Sequence, residues 1–266
     1  MSRLPPLLAW LLGLAVALPC AADIRQFPPE TIEALGRTLF EVERRTDIAI
    51  ELANEHHAPD ELGVESWVTE GDPAHLLVRF LGTRDGTPVP VLDARFDELL
   101  LPDIAPPAGP ALTPFQRAQI AARTAVQPYL ENPCSARYGS LAVPDPESDG
   151  LLLYAIALDP DEELVLLGGH HRFSLSADGT EVRHADALST SCVRAPREEL
   201  ARADGVRGTA VRTSLGDTPL EIHVYLSLRH RLTLYVVTRD LRMWEVRDGH
   251  MRVIRERPGE LSSAAR

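Results

Sequence analysis

The chain has 266 residues, of which 44% are hydrophobic, 25% charged and only 5% aromatic, with a formal charge of −12. That composition excludes a disordered or fibrous chain, and the length allows a sizeable core. All 27 basic residues are arginine, which excludes chemistry needing a lysine amine, from Schiff bases to the phosphate clamp of P-loop enzymes; the acidic balance argues against nucleic acid or anionic lipid as a partner.

Residues 1–22 read MSRLPPLLAWLLGLAVALPCAA, with Arg3 ahead of an apolar run over 7–18 and small residues before Asp23. This is the layout of a secretory signal peptide, and it predicts cleavage after Ala22 and a periplasmic or secreted protein. The run is shorter than the roughly 20 apolar residues that span a bilayer. Lipidation at Cys20 is the alternative, and Pro19 in front of it disfavours that chemistry. No later stretch is long and apolar enough to cross a membrane, so no transmembrane segment is expected in the mature chain. Removing residues 1–22 takes away one arginine and no acid, moving the charge from −12 to −13. Residues 23–131 carry nine arginines against nineteen acids, whereas 219–266 carry nine against six. Mutual attraction of the two parts is the simplest consequence; a face for an acidic envelope partner is the other.

After a lead-in over 23–29, apolar residues at 32, 35, 39 and 42 predict a helix over about 30–45. Residues 46–55 fit either a strand or a continuation of that helix. Trp67-Val68 suggests a short strand, and 75–81 with 88–96 a strand pair turning at Asp85-Gly86. Residues 101–112 hold four prolines and no predicted element. They read as a linker between an N-terminal helix with a small sheet (23–100) and a second region (113–257). Thr113, Pro114 and Gln116 predict an N-cap, first helical position and capping-box partner for a helix running to about Leu130, where Asn132-Pro133 stops it.

The remainder reads as antiparallel sheet. Residues 151–158 and 164–167 are apolar on both faces and suit central strands, followed by a hairpin of 171–176 and 181–187. A four-strand meander over 220–228, 232–238, 243–246 and 251–254 closes the region, and a disordered tail is expected over 258–266. The predicted class is α+β: an N-terminal helix with a small antiparallel sheet, then a capped helix packed on a larger antiparallel β-meander sheet.

With Cys20 in the leader, Cys134 and Cys192 are the remaining sulfurs. In an exported chain such a pair predicts a disulfide. It is too widely spaced for a C-x-x-C redox motif and too small a set for a thiolate metal site.

No nucleophile elbow, zinc-protease helix, dinucleotide loop or calcium loop is present, and no cofactor or metal is predicted. His56-His57 sits among acids at a predicted helix end; adjacent histidines point apart, so solvated helix-end residues are the simpler reading. In the predicted hairpin Leu175 faces Val182, Phe173 faces His184 and His171 faces Asp186. An imidazole beside a carboxylate resembles the base and orienter of a catalytic triad, yet no nucleophile is identified: Ser189, Thr190 and Ser191 are near in sequence alone. His223 and Tyr225 share a predicted strand face with Trp244 two strands along, which would line a groove or cover a helix. The catalytic candidates are therefore His171, His184, Asp186 and His223.

The segments GGHHRFSLSADGTEV, STSC and PLEIHVYLSLRHRLTLYVVT, with Trp244 after them, resemble a group of exported proteobacterial proteins of unknown function. The resemblance covers mainly 134–255 and implies an exported, disulfide-linked, β-rich protein with no activity attached. The leading functional expectation is a non-enzymatic periplasmic binding or envelope-accessory protein. The alternatives are a periplasmic hydrolase using His171, His184 or His223 with Asp186, and an inhibitor or adaptor using the arginine-rich strands over 229–257.

Overall fold

A computed structural model of the chain describes residues 24–58, 60–130, 134–159, 161, 163–201 and 208–256. The predicted leader with Cys20, the Asn132-Pro133 stop and the predicted tail lie outside the described residues.

Helix α1 (Pro29–His56) opens with proline at its first position and Glu30 in its first turn, both favourable at a helix N-terminus. Ala49 and Ala53 continue the buried stripe begun by Ile32, Leu35, Leu39 and Val42. Residues 46–55 are therefore helix, and Thr46 returns its hydroxyl to the Val42 carbonyl at 2.7 Å. Strands β1 (Ser66–Glu70), β2 (Leu77–Arg84), β3 (Thr87–Arg95) and β4 (Asp103–Ala105) form an antiparallel sheet in that order. Asp85 and Gly86 both take positive φ, as a two-residue hairpin turn requires. Val42, Ala49 and Ala53 of α1 cover Val78, Phe80, Leu92 and Ala94 of this sheet. The proline-rich segment differs from expectation: it supplies β4, paired with β3 from Asp103 to Ala105.

Helix α2 (Pro114–Ala125) has the predicted capping box, with Thr113 and Gln116 each binding the other's backbone N–H. Gln119 ties it to β1 through two buried bonds with the Thr69 backbone, at 3.1 and 2.5 Å. A second antiparallel sheet takes β5 (Arg137–Pro144), β6 (Leu151–Leu158), β8 (His171–Leu175) and β9 (Val182–Ala187) in that order. Strand β6 is apolar on both faces because both are covered. Leu151, Leu153 and Ala155 meet Ala118 and Ala122 of α2, while Leu152, Tyr154 and Ile156 enter the core formed with α1 and the C-terminal elements. Between them in the chain, β7 (Leu164–Leu166) leaves the sheet and pairs with β10 (Arg194–Pro196). Helix α2 thus packs on this antiparallel sheet and not on the C-terminal one.

The C-terminal part consists of α3 (Arg197–Ala201), β11 (Gly208–Arg212), α4 (Glu221–His230), β12 (Thr233–Val237), β13 (Met243–Arg247) and β14 (His250–Arg255). The α+β class stands, but the meander has three antiparallel strands with β11 added in parallel to β12. Residues 220–228, expected as its first strand, are helix. Glu221 to Ser227 are all buried, between α1 and β12–β13. A helix covered on every side needs no polar stripe and so shows no 3.6-residue period, and its alternating apolar residues imitate a strand. Gly36 of α1 permits the close approach, since a Cβ there would lie 2.4 Å from the Val224 Cβ.

Cys134 and Cys192 are bonded, with α-carbons 5.2 Å apart, within the span a disulfide requires. No helix of the described residues is long and apolar enough to cross a membrane.

Candidate functional site

The hairpin residues do not pair as the sequence suggests. Leu175 faces Val182, but a bulge between Ser174 and Leu175 shifts every later partner by one. Ser174 then faces His184, Arg172 faces Asp186 and His171 faces Ala187. A one-residue slip transfers a side chain to the other face of a sheet. His171 keeps the α2 side with Phe173, stacked on it at 6.0 Å and edge-on to Tyr138 at 6.0 Å, while Asp186 goes to the other face; burial lowers the His171 pKa.

Asp186 belongs to a buried charge network on the other face. Its Oδ2 accepts from Arg172 Nε at 3.0 Å and Nη2 at 2.6 Å. Arg172 also donates to Glu221 Oε1 at 2.7 Å and to the Arg25 carbonyl. Tyr154 donates to the same Glu221 oxygen at 3.0 Å. Burial opposes the charge on Arg172, but Glu221, Tyr154 and Asp186 outweigh it and hold the guanidinium protonated. The Phe27 ring sits between Arg25 and Arg172, 4.7 and 4.8 Å from their guanidinium carbons. Arg25 in turn grips Asp145 with two bonds of 2.6 and 2.8 Å. The network clamps the lead-in residues to the second sheet and α4.

His184 Nε2 lies 2.9 Å from Asp186 Oδ1, in a hollow of about 300 Å³ with Ser148 and Ser174. The imidazole–carboxylate pair therefore exists with a partner different from the expected one. Neither serine hydrogen-bonds to it among the described residues: Ser174 accepts from Arg25 at 3.0 Å and Ser148 donates to Asp145 at 2.9 Å. Ser189 holds the Gly169 N–H at 2.7 Å and serves the Gly168-Gly169 bend. His223 is on α4, where its Nδ1 accepts the Leu220 N–H at 2.8 Å; burial lowers its pKa to about 4. His223, Tyr225 and Trp244 do not share a strand face, because two of the three belong to a helix, and all three are buried. His171, His184 and His223 thus occupy three separate places. At the end of α1, exposed His56 rests 3.5 Å from Glu55, and no group of three potential metal ligands occurs among the described residues.

A different constellation forms at the C-terminal end of α4. The helix closes at Arg231 in the left-handed region, φ 53°, which turns the chain into β12. Its last turn meets α1 along Phe40, Glu43, Arg44 and Asp47, residues spaced to share one helix face, and meets Arg197 at the start of α3. Two adjoining hollows of about 440 and 370 Å³ share Arg197, Arg229 and His230. The first also has Asp159, Asp161, Glu163 and His170 in its wall; the second has Arg44, Arg231, Glu43 and Asp47.

The charges here are organised by burial. Glu43 accepts from Tyr225 at 2.8 Å and pairs with the Arg229 guanidinium. Burial pushes the pKa of both Glu43 and Asp47 upward. His170 is fixed as one tautomer: Nδ1 accepts the Ala157 N–H at 3.1 Å, so Nε2 carries the proton and donates to Leu166 O at 3.2 Å. His230 makes no hydrogen bond among the described residues. Burial, then Arg229, Arg197 and His170, lower its pKa to about 3, so its ring is a neutral donor and acceptor facing the hollows. Guanidinium forks suit carboxylate or phosphate oxygens. No serine, threonine or cysteine lines either hollow. The sequence carried one signal, the run Arg229-His230-Arg231, but a predicted strand turn hid its meeting with α1.

No family model, curated protein or solved structure matches the chain.

Proposed function

We propose that the protein is an exported, non-enzymatic binding protein that takes a small anionic molecule at the end of α4. The observation that carries this reading is the second hollow, where Arg44, Arg197, Arg229 and Arg231 outnumber Glu43 and Asp47 beside neutral His230. Pockets with perturbed titratable groups and converging polar side chains are the favoured places for ligands. Glu43 and Tyr225 pre-orient Arg229, so little ordering is required when an anion arrives. The leader-like first segment and the bonded cysteine pair support export, since disulfides persist in oxidising compartments.

The test is thermal unfolding of the mature protein against a panel of small carboxylates and phosphates. At 100-fold excess over its dissociation constant, a true ligand adds about 2.7 kcal/mol of stability. The gain is expected to collapse in His230→Ala and in Arg231→Asn, the latter chosen because asparagine tolerates the left-handed backbone. A panel that never stabilises the native protein, or stabilises both variants equally, overturns the reading.

A further inference from the structure

We propose that a second site, for an amphipathic organic cation, lies between α1, α2 and the turn after β1. A hollow of about 620 Å³ opens there, larger than either of those at the end of α4. It sits where the three hydrophobic cores of the molecule meet. Leu35 and Val143 come from the central core, Val42 and Leu76 from the core under the first sheet, and Phe115 from the core under α2. An apolar hollow of this size at such a junction is a common setting for ligands.

Charge selects the occupant. The charged residues lining the hollow are Glu70 and Asp72, both acidic, and no arginine or histidine lines it. Nearby cations are engaged or outside it. Arg79 is held by Asp93 at 2.7 and 2.9 Å and reaches Glu70 through its charge alone, without lining the hollow, and His75 lies 3.5 Å from Asp72 but does not line the hollow either. Glu70 Oε2 accepts from Gln116 at 2.8 Å. Asp72 uses Oδ1 to cap the following turn, at 2.8 and 3.1 Å from two backbone N–H groups. The rim between them is fixed by Gly71, φ 105°, where a Cβ would lie 2.3 Å from the His75 carbonyl oxygen. A ligand with an apolar body and a cationic head answers the walls with the body and the rim with the head; an anionic head would meet two carboxylates and no cation.

The experiment is calorimetric titration of the mature protein with octyltrimethylammonium, octyl sulfate and octyl glucoside, all below their micelle concentrations. The ammonium is expected to bind tightest, exceeding octyl glucoside by roughly fivefold for the charge contribution at a partly exposed site. In Glu70→Gln with Asp72→Asn, which keeps the acceptors of both structural bonds, that preference is expected to vanish while octyl glucoside binds as before. Thr38→Phe, which fills the hollow, is expected to abolish binding of all three. Octyl sulfate binding as tightly as the ammonium, a charge-neutral variant that keeps the preference, or no binding by any of the three overturns the proposal.

Discussion

Arg172 is wholly buried, and its charge is answered by Asp186 and Glu221, which are buried with it. Removing one member of such a set strands the others without water or partner, at a cost of about 3–5 kcal/mol. Arg172→Met is expected to lose that much in urea unfolding. Replacing Arg172, Asp186 and Glu221 together by apolar residues is expected to recover most of it, because no charge is then left unpaired. Recovery no better than the single variant would show that the network does more than neutralise itself. The predicted hairpin set Asp186 against His171; in the structure Asp186 faces Arg172, and the imidazole beside it is that of His184 on its own strand. The bulge at Ser174 put Arg172 opposite Asp186 in place of His171.

At the scale of elements, α4 is the decisive segment. It is capped from within: His223 Nδ1 accepts the Leu220 N–H, the reach-back half of a capping box. This function requires a neutral ring. The folded pKa of about 4 lies below the ordinary 6.5, so between these values the unfolded chain binds the extra proton. The resulting stability is complete above pH 6.5 and is lost as pH falls toward 4, up to about 3 kcal/mol for the one group. His170, also lowered to about 4, acts in the same direction and the same window. Urea midpoints across this range should fall with acidification. In His223→Gln, which keeps a capping acceptor without a titrating ring, the slope between pH 6.5 and 4 should be shallower by up to one proton. An unchanged slope would mean that His223 does not stay neutral in the fold. By contrast, α2 was readable in full at its start, because Thr113, Pro114 and Gln116 act on backbone groups a few residues away.

For the molecule as a whole, the disulfide and the charge asymmetry decide how the parts hold together. Cys134–Cys192 fixes the segment before β10, and Arg194 donates to the Cys134 carbonyl at 2.8 Å. With the cysteines 58 positions apart in sequence, the bond removes roughly 4 kcal/mol of unfolded-chain entropy. Cys134→Ala with Cys192→Ala, or reduction of the native protein, is expected to lower denaturant stability by about that amount; no change would mean the bond constrains nothing the fold does not already hold. The acidic first half and basic C-terminal part do meet, through Arg229 on Glu43 and His250 on Glu33 at 3.1 Å. Composition, turn residues and short-range capping patterns were enough to establish the α+β class, the cysteine pair, the first hairpin and the start of α2, because each depends on residues close in sequence or on chemistry independent of geometry. The helical state of 221–230, the register of β8 and β9, and the union of α1, α3 and α4 around Arg229 and His230 were decided by the tertiary structure. Burial on every side erases the periodicity that marks a helix, and a site assembled from three distant segments leaves no spacing to read.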